Sequence, residues 1–243
     1  MNDALNAIDI RFSFGDHAVL KGVTFSVGVG GVMAIAGRSG CGKSTLLEIC
    51  ASLRAPDSGK ILWDGVCVAG LPHQGLVKAR QRIGYVFQKH ALIHNFTVFD
   101  NIALPLRYHR DIPERDIRTS VKLCMEELGL FNVEKKFPNE LSAGQSRCAA
   151  IARAVVMGPS ILFLDEPTAG VDPVTAEGIA NVLREMNVSR QIAIVMLCNN
   201  TATLKLMRCG VKVLDGGRLF EVDDPAMAES GAMDIFSILR ETL

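Results

Sequence analysis

Gly37-Arg38-Ser39-Gly40-Cys41-Gly42-Lys43-Ser44 decides the fold of this 243-residue chain. The stretch satisfies G-x-x-x-x-G-K-[ST] at each fixed position. Its flanks fit as well. Val32–Ala36, just before it, is a continuous apolar run of the kind a strand shows when both its faces are buried. A helix is expected after it, from near Ser44 to about Leu53. In that setting the glycines let successive backbone N–H groups turn inward around phosphate oxygens, and the helix start adds positive potential. Gly37, Arg38, Ser39, Gly40, Cys41, Gly42, Lys43, Ser44 and Thr45 are therefore the candidate nucleotide-binding residues. Lys43 is expected to reach the β- and γ-phosphates, and Ser44 to ligate Mg²⁺. A thiol at a helix start, as at Cys41, is expected to have a lowered pKa.

Ile161-Leu162-Phe163-Leu164-Asp165-Glu166 places two acids directly after four apolar residues. A buried parallel strand ending this way aims its carboxylates at the sheet edge where open α/β sheets bind ligands. Asp165 is expected to hold Mg²⁺ and Glu166 to polarise an attacking water. Leu141-Ser142-Ala143-Gly144-Gln145 puts a serine and small residues at a helix start, which offers donors to an anion. Taken alone, it also fits an ordinary capped helix.

The order of these segments, with Gly84-Tyr85-Val86-Phe87-Gln88 between the first and the third and Ala169-Gly170-Val171-Asp172 after the acids, resembles the ATP-binding cassette (ABC) ATPases over nearly the whole chain. LSAGQ is similar to that family's LSGGQ signature, with Ala143 in place of one glycine. The resemblance implies ATP and Mg²⁺ as cofactors and two cassettes packed head to tail. Ser142, Ala143, Gly144 and Gln145 then act in trans on the partner's ATP. It further implies that Gln88 touches Mg²⁺ and senses a membrane partner, and that Asp172 couples the two sites. Phe14 stands where the family places an aromatic that stacks on adenine. It also continues the Ile8/Ile10/Phe12 stripe, so a core role is open too.

One position departs from the family, which carries a histidine at the end of the strand after the Asp172 helix. Here that strand ends Leu197-Cys198-Asn199-Asn200. The histidines are His17, His73, His90, His94 and His109, all well upstream. Asn199 takes the histidine's place. It is expected to donate a neutral hydrogen bond to the γ-phosphate, and it can neither carry charge nor shuttle a proton. A slow ATPase is expected, with Glu166, Gln88 and Asn199 as its catalytic residues.

Apolar residues make up 49% of the chain and charged residues 21%, with 26 basic side chains balanced by 26 acidic ones. This excludes a disordered chain and argues against nucleic acid as a partner, which would usually bring a basic excess. The glycines show no G-x-y period. The longest apolar runs, Val32–Ala36 and Ile192–Cys198, fall far short of the ~18 residues that span a bilayer. No leader is expected at Met1–Ile10. The seven cysteines are scattered, without C-x-x-C, so reduced thiols in a cytoplasmic protein are expected.

Strands alternate with helices, which predicts an α/β fold with a mostly parallel sheet, and the resemblance implies that this is a P-loop NTPase core of the ABC type. An N-terminal antiparallel β subdomain is expected, with Ile8–Val27 reading as strands; further strands are expected at Lys60–Trp63 and Ile83–Phe87. The single domain, 1–243, divides into a core at about 1–90 and 158–243 and a helical subdomain at about 91–157. In the latter, Thr97 and Asp100 cap one helix. Pro113 opens a second at its first position, with Ile117, Val121, Cys124/Met125 and Leu128 on one face and Gly129 at its end. Ser142 caps a third, closed by Gly158-Pro159. Asp172-Pro173 starts a helix through Ile179, Val182, Leu183 and Met186. Val211–Leu214 and Leu219–Val222 form a hairpin, and Asp224-Pro225 starts a helical region with Ile235, Phe236 and Leu239.

A lone cassette needs a separate permease. The stretch Ala91 to His109 is similar to the Mla-type ATPases of MCE-protein phospholipid transport, as is Gly170-Val171-Asp172-Pro173. That resemblance implies a permease, a second cassette (a homodimer) and an MCE-domain protein as partners, and a place on the cytoplasmic face of the inner membrane. The alternatives are a regulatory cassette of a membrane complex, or the ATPase of another importer or of a lipoprotein-release system.

Overall fold

The structure, a computed structural model, describes residues 3–89 and 91–222. His90 and the helical region expected after Asp224 lie outside the described residues. In chain order the elements are β1 (Asp3–Phe14), β2 (His17–Gly28), β3 (Val32–Ala36), α1 (Lys43–Cys50), β4 (Ser58–Trp63), β5 (Val66–Cys67), α2 (His73–Arg80) and β6 (Ile83–Val86). Next come α3 (Val98–His109), α4 (Glu114–Glu127), α5 (Ala143–Val155), β7 (Ile161–Asp165), α6 (Pro173–Arg190), β8 (Ala193–Leu197), α7 (Thr201–Met207), β9 (Gly210–Asp215) and β10 (Arg218–Glu221).

The strands form two sheets. One, ordered β2-β1-β4-β5, is antiparallel throughout. The other, β10-β9-β3-β8-β7-β6, is parallel except for the β9–β10 hairpin. Alternation along the central strands assigns their side chains to two cores. Met33, Ile35, Phe163, Val195 and Leu197 join Leu5, Ile10, Leu20, Leu46 and Leu47 between the sheets and α1. Ala34, Ala36, Leu162, Leu164, Ile194 and Met196 face the other way, onto Ile102, Val121, Ile151 and Ile179 of the helices. Each such Leu, Ile or Phe contributes ~1.5–3 kcal/mol by leaving water. This is why β3, β7 and β8 read as unbroken apolar runs.

The fold is the α/β architecture expected. Three local expectations are adjusted. The Ile8/Ile10/Phe12/Phe14 alternation is broken by a bulge at Asp9, which has φ 47°. The register shifts between Ala7 and Ile10, which turns Ile8 out to solvent while Ala7, Ile10 and Phe12 face inward. Gly59 stands opposite the bulge, where a Cβ would lie 2.5 Å from the Asp9 carbonyl oxygen. Helix α1 stops at Cys50, short of Leu53, and Pro113 is the cap of α4, one place before its first residue.

One buried amide fixes the chain's entry into α3. Asn101 accepts from Ile93 N–H at 2.8 Å and donates to the carbonyls of Ile93, Phe96 and Thr97. Those bonds hold the loop into α3 without regular structure. Thr97 caps α3 as expected, its hydroxyl oxygen accepting from Asp100 N–H.

Candidate nucleotide site

The carboxyl ends of β3, β7 and β8 open into one cleft of about 340 Å³. Its lining includes Ser39, Gly40, Gly42, Lys43, Ser44 and Thr45 from the loop and α1, Asp165 and Glu166 from β7, Asn199 after β8, Gln88 after β6, and Phe14 at the rim. Segments far apart in sequence thus converge because parallel neighbours end on one edge.

The loop needs its glycines. Gly37 has φ 152°, and a Cβ there would meet the Leu214 carbonyl oxygen at 2.5 Å; Gly42, at φ 102°, would meet Val19 at the same distance. Inside the loop Lys43 is folded back, its Nζ donating to the carbonyls of Gly37 (2.7 Å) and Arg38 (2.8 Å). The ammonium is thereby held in the loop, where phosphate oxygens would replace the carbonyls.

Asp165 is nearly buried and accepts a hydrogen bond from the Ser44 hydroxyl. Burial pushes its carboxyl above the usual range, with Glu166 and Glu48 adding to the effect and Ser44 and Lys43 opposing it. Glu166 sits at φ 51°, a left-handed conformation uncommon outside glycine. Its Oε2 accepts from Gln88 Nε2 at 3.0 Å. With that nitrogen engaged, the Gln88 amide oxygen is the atom left for a cation. Ser44, Asp165 and Gln88 then form an oxygen donor set beside two like-charged carboxyls, which fits a hard divalent ion such as Mg²⁺.

Phe14 is 51% exposed, which settles the choice between a core and a rim position. Its ring stands edge-on to Phe12 at 4.9 Å, and the Arg54 guanidinium lies 5.2 Å from both ring centres. The ring is braced on the protein side and open on the cleft side. His17 and Val19 line the cleft beside it. Sequence reasoning missed both; the only signal was their place just past the Gly15-Asp16 turn.

Gly37, Arg38 and Cys41 belong to the loop but do not line the cleft. Cys41 packs with the inter-sheet core. Burial raises its thiol pKa, and the Lys43 charge only partly offsets that. This corrects the expected lowering: desolvation outweighs the helix start.

Residues 20–169 match the profile of the family described as ABC transporter. The chain belongs to that family. Among curated relatives, the intermembrane phospholipid transport ATP-binding protein MlaF of Escherichia coli (strain K12) is 35% identical over 192 residues, 79% of this chain and 71% of the relative. The methionine import ATP-binding protein MetN 1 of Rhodopseudomonas palustris is 33% identical over 230 residues, 95% of this chain and 60% of the relative. Among solved structures, the dimeric bacterial ABC transporter cassette MJ0796 superposes with a TM-score of 0.83 at 28% identity, covering 88% of this chain and 96% of that one. The same cassette in a post-hydrolysis dimer with ADP and Pi gives 0.83 at 27%, covering 90% and 99%.

In this ABC cassette the signature residues lie apart from the cleft. Ser142 and Gln145 form a reciprocal cap at the start of α5: the Ser142 hydroxyl oxygen accepts from Gln145 N–H, and Ser142 N–H donates to Gln145 Oε1, both at 3.2 Å. Ser142 and Ala143 are exposed. Gly144 touches Thr175, so closely that a Cβ would meet its methyl at 2.6 Å. Thr175 donates in turn to Asp172 through its amide and hydroxyl. The signature and the Asp172 loop are therefore joined through Thr175, and neither lines the cleft of their own chain. No helix among the described residues is long and apolar enough to cross a membrane.

Proposed function

We propose that this chain is the ATP-hydrolysing subunit of a transporter that moves phospholipid between membranes, working as a homodimer beneath a separate permease with an MCE-domain partner, on the cytoplasmic face of the inner membrane. One observation carries the hydrolytic part: Lys43, Ser44, Asp165, Glu166 and Gln88 converge on one cleft. In this reading Phe14 carries the adenine, and the loop amides with Lys43 carry the phosphates. Ser44, Asp165 and Gln88 hold Mg²⁺, which supplies charge neutralisation at the phosphates when bound. Glu166 takes a proton from the attacking water, and Gln88 fixes the direction of its carboxylate. Ser142, Ala143, Gly144 and Gln145 close the partner's cleft, and Asp172 links the two.

The phospholipid assignment rests on the likeness to MlaF and on the Ala91–His109 pattern. A groove of about 420 Å³ between core and helical lobe offers the permease a seat. Its lining includes Tyr85, Phe87, Leu104 and Tyr108, and Phe87 adjoins Gln88, so a docked segment would touch the catalytic cleft's own loop. The likeness to MetN favours a second reading, an importer of a small solute.

The test is co-purification of the tagged chain from membranes, followed by reconstitution of the complex in proteoliposomes. ATP-driven transfer of labelled phospholipid, lost with Lys43→Ala, is expected. Hydrolysis stimulated by a small solute, with no lipid moved, would favour the importer. Full activity in Lys43→Ala would overturn the hydrolytic reading itself.

A further inference from the structure

Arg147 lies on α5, two residues past Gln145, and is 2% exposed. Its Nη2 donates to the Ala169 carbonyl at 3.1 Å, and its Nη1 to the Phe87 carbonyl at 3.4 Å. Its Nε finds no acceptor among the described residues. Burial works against its charge, while the fields of Asp165 and Glu166 favour it. Such an arrangement is a poor way to stabilise a fold. A buried cation with an orphan donor is costly, and an apolar side chain of similar volume often serves as well or better.

The two carbonyls it holds explain its presence better. Phe87 immediately precedes Gln88. Ala169 leads into Gly170, Val171 and Asp172. The same helix begins with the signature residues. We propose that Arg147 is a positioning residue that ties the start of α5 to the Gln88 and Asp172 loops, so that engagement of Ser142–Gln145 is felt at the Gln88–Glu166 hydrogen bond. The long contact to Phe87 is the one with room to tighten when α5 shifts. Arg147 does not line the cleft and acts through Gln88. The inference rests on the reading of this chain as an ATP hydrolase whose signature works in trans.

The experiment compares the full-length wild-type chain, Arg147→Met, Arg147→Lys, Gln88→Ala and the double variant Gln88→Ala/Arg147→Met. The readouts are kcat for ATP, affinity for fluorescent ADP, and the thermal midpoint. Arg147→Met is expected to leave ADP affinity within about twofold and the midpoint close to wild type, while kcat falls about 10- to 100-fold. Arg147→Lys keeps the charge without the fork and recovers only part of that loss. The decisive result is epistasis: the double variant should be no slower than Gln88→Ala. Losses that multiply would overturn the inference, as would wild-type kcat in Arg147→Met. If Arg147→Met fails to fold, Arg147→Lys combined with Gln88→Ala gives the same comparison. A wild-type chain that hydrolyses ATP no faster than Lys43→Ala would instead overturn the underlying reading.

Discussion

Asn199 and Gly37 hold each other through two hydrogen bonds: Gly37 N–H donates to Asn199 Oδ1, and Asn199 Nδ2 donates to the Gly37 carbonyl, both at 3.1 Å. The amide expected to face a γ-phosphate thus uses its oxygen and one of its protons on the first residue of the phosphate loop. A side chain in that role matters to any nucleotide that enters the loop, whether or not it carries a γ-phosphate. Asn199→Ala should therefore weaken ADP and ATP by the same factor, about 5- to 30-fold for one or two neutral hydrogen bonds. Titration calorimetry with both nucleotides checks this. Unchanged ADP affinity with a lowered kcat would return Asn199 to the γ-phosphate.

Glu166→Gln keeps the hydrogen bond to Gln88, because an amide oxygen accepts as the carboxylate does, but it removes the base. ATP hydrolysis should fall ~10²–10⁴-fold while ATP binding persists, so the nucleotide-bound dimer accumulates. Size-exclusion chromatography with ATP and Mg²⁺ should show a dimer for this variant. A monomer at every nucleotide concentration would contradict it.

Phe14 is open on one side and braced by Phe12 and Arg54 on the other. Phe14→Ala should cost ~1–3 kcal/mol of adenine stacking, seen as weaker ATP binding with little change in thermal stability, since the ring is half in water. Phe14→Tyr should bind ATP as the wild type does. Equal affinity for all three would remove Phe14 from the site.

The Cys41 thiol is raised above its ordinary pKa by burial. Its thiolate is therefore scarce at neutral pH, and iodoacetamide labelling should be slow there and accelerate steeply as pH rises through the alkaline range. Mass spectrometry of Cys41 across pH tracks the rate. Rapid labelling at pH 7 would mean that the thiol is more accessible than its packing indicates.

Much of this is legible in the sequence, for reasons particular to each segment. Strands β3 and β7 are buried on both faces, so their apolar runs are unbroken, and the residues just past each run carry the chemistry. Ser142 and Thr97 announce their helices because capping is local. The features hidden from the sequence depend on distant partners. Helix α2 buries none of its residues, so it carries no apolar stripe to read. The seven-residue α7 is too short for a period. The Asp9 bulge is packed against Gly59 on another strand. Arg147, in a helix with alanines and another arginine, reads as a solvated position until the Phe87 and Ala169 carbonyls are placed beside it. Asn199 stands out by its position, but its partner does not, because Gly37 follows the neighbouring strand, far away in sequence.

The division of β3, β7 and β8 between two cores bears on how this chain can change length. A one-residue insertion or deletion within β7 would exchange its faces, sending Phe163 toward the helices and Leu162 toward α1, and would mismatch both cores at once. It would also swing Asp165 off the edge of the sheet. Such changes are closed to the central strands. The exposed loop before α4 has no such double allegiance, so insertions and deletions can accumulate there while the groups around the phosphates keep their places.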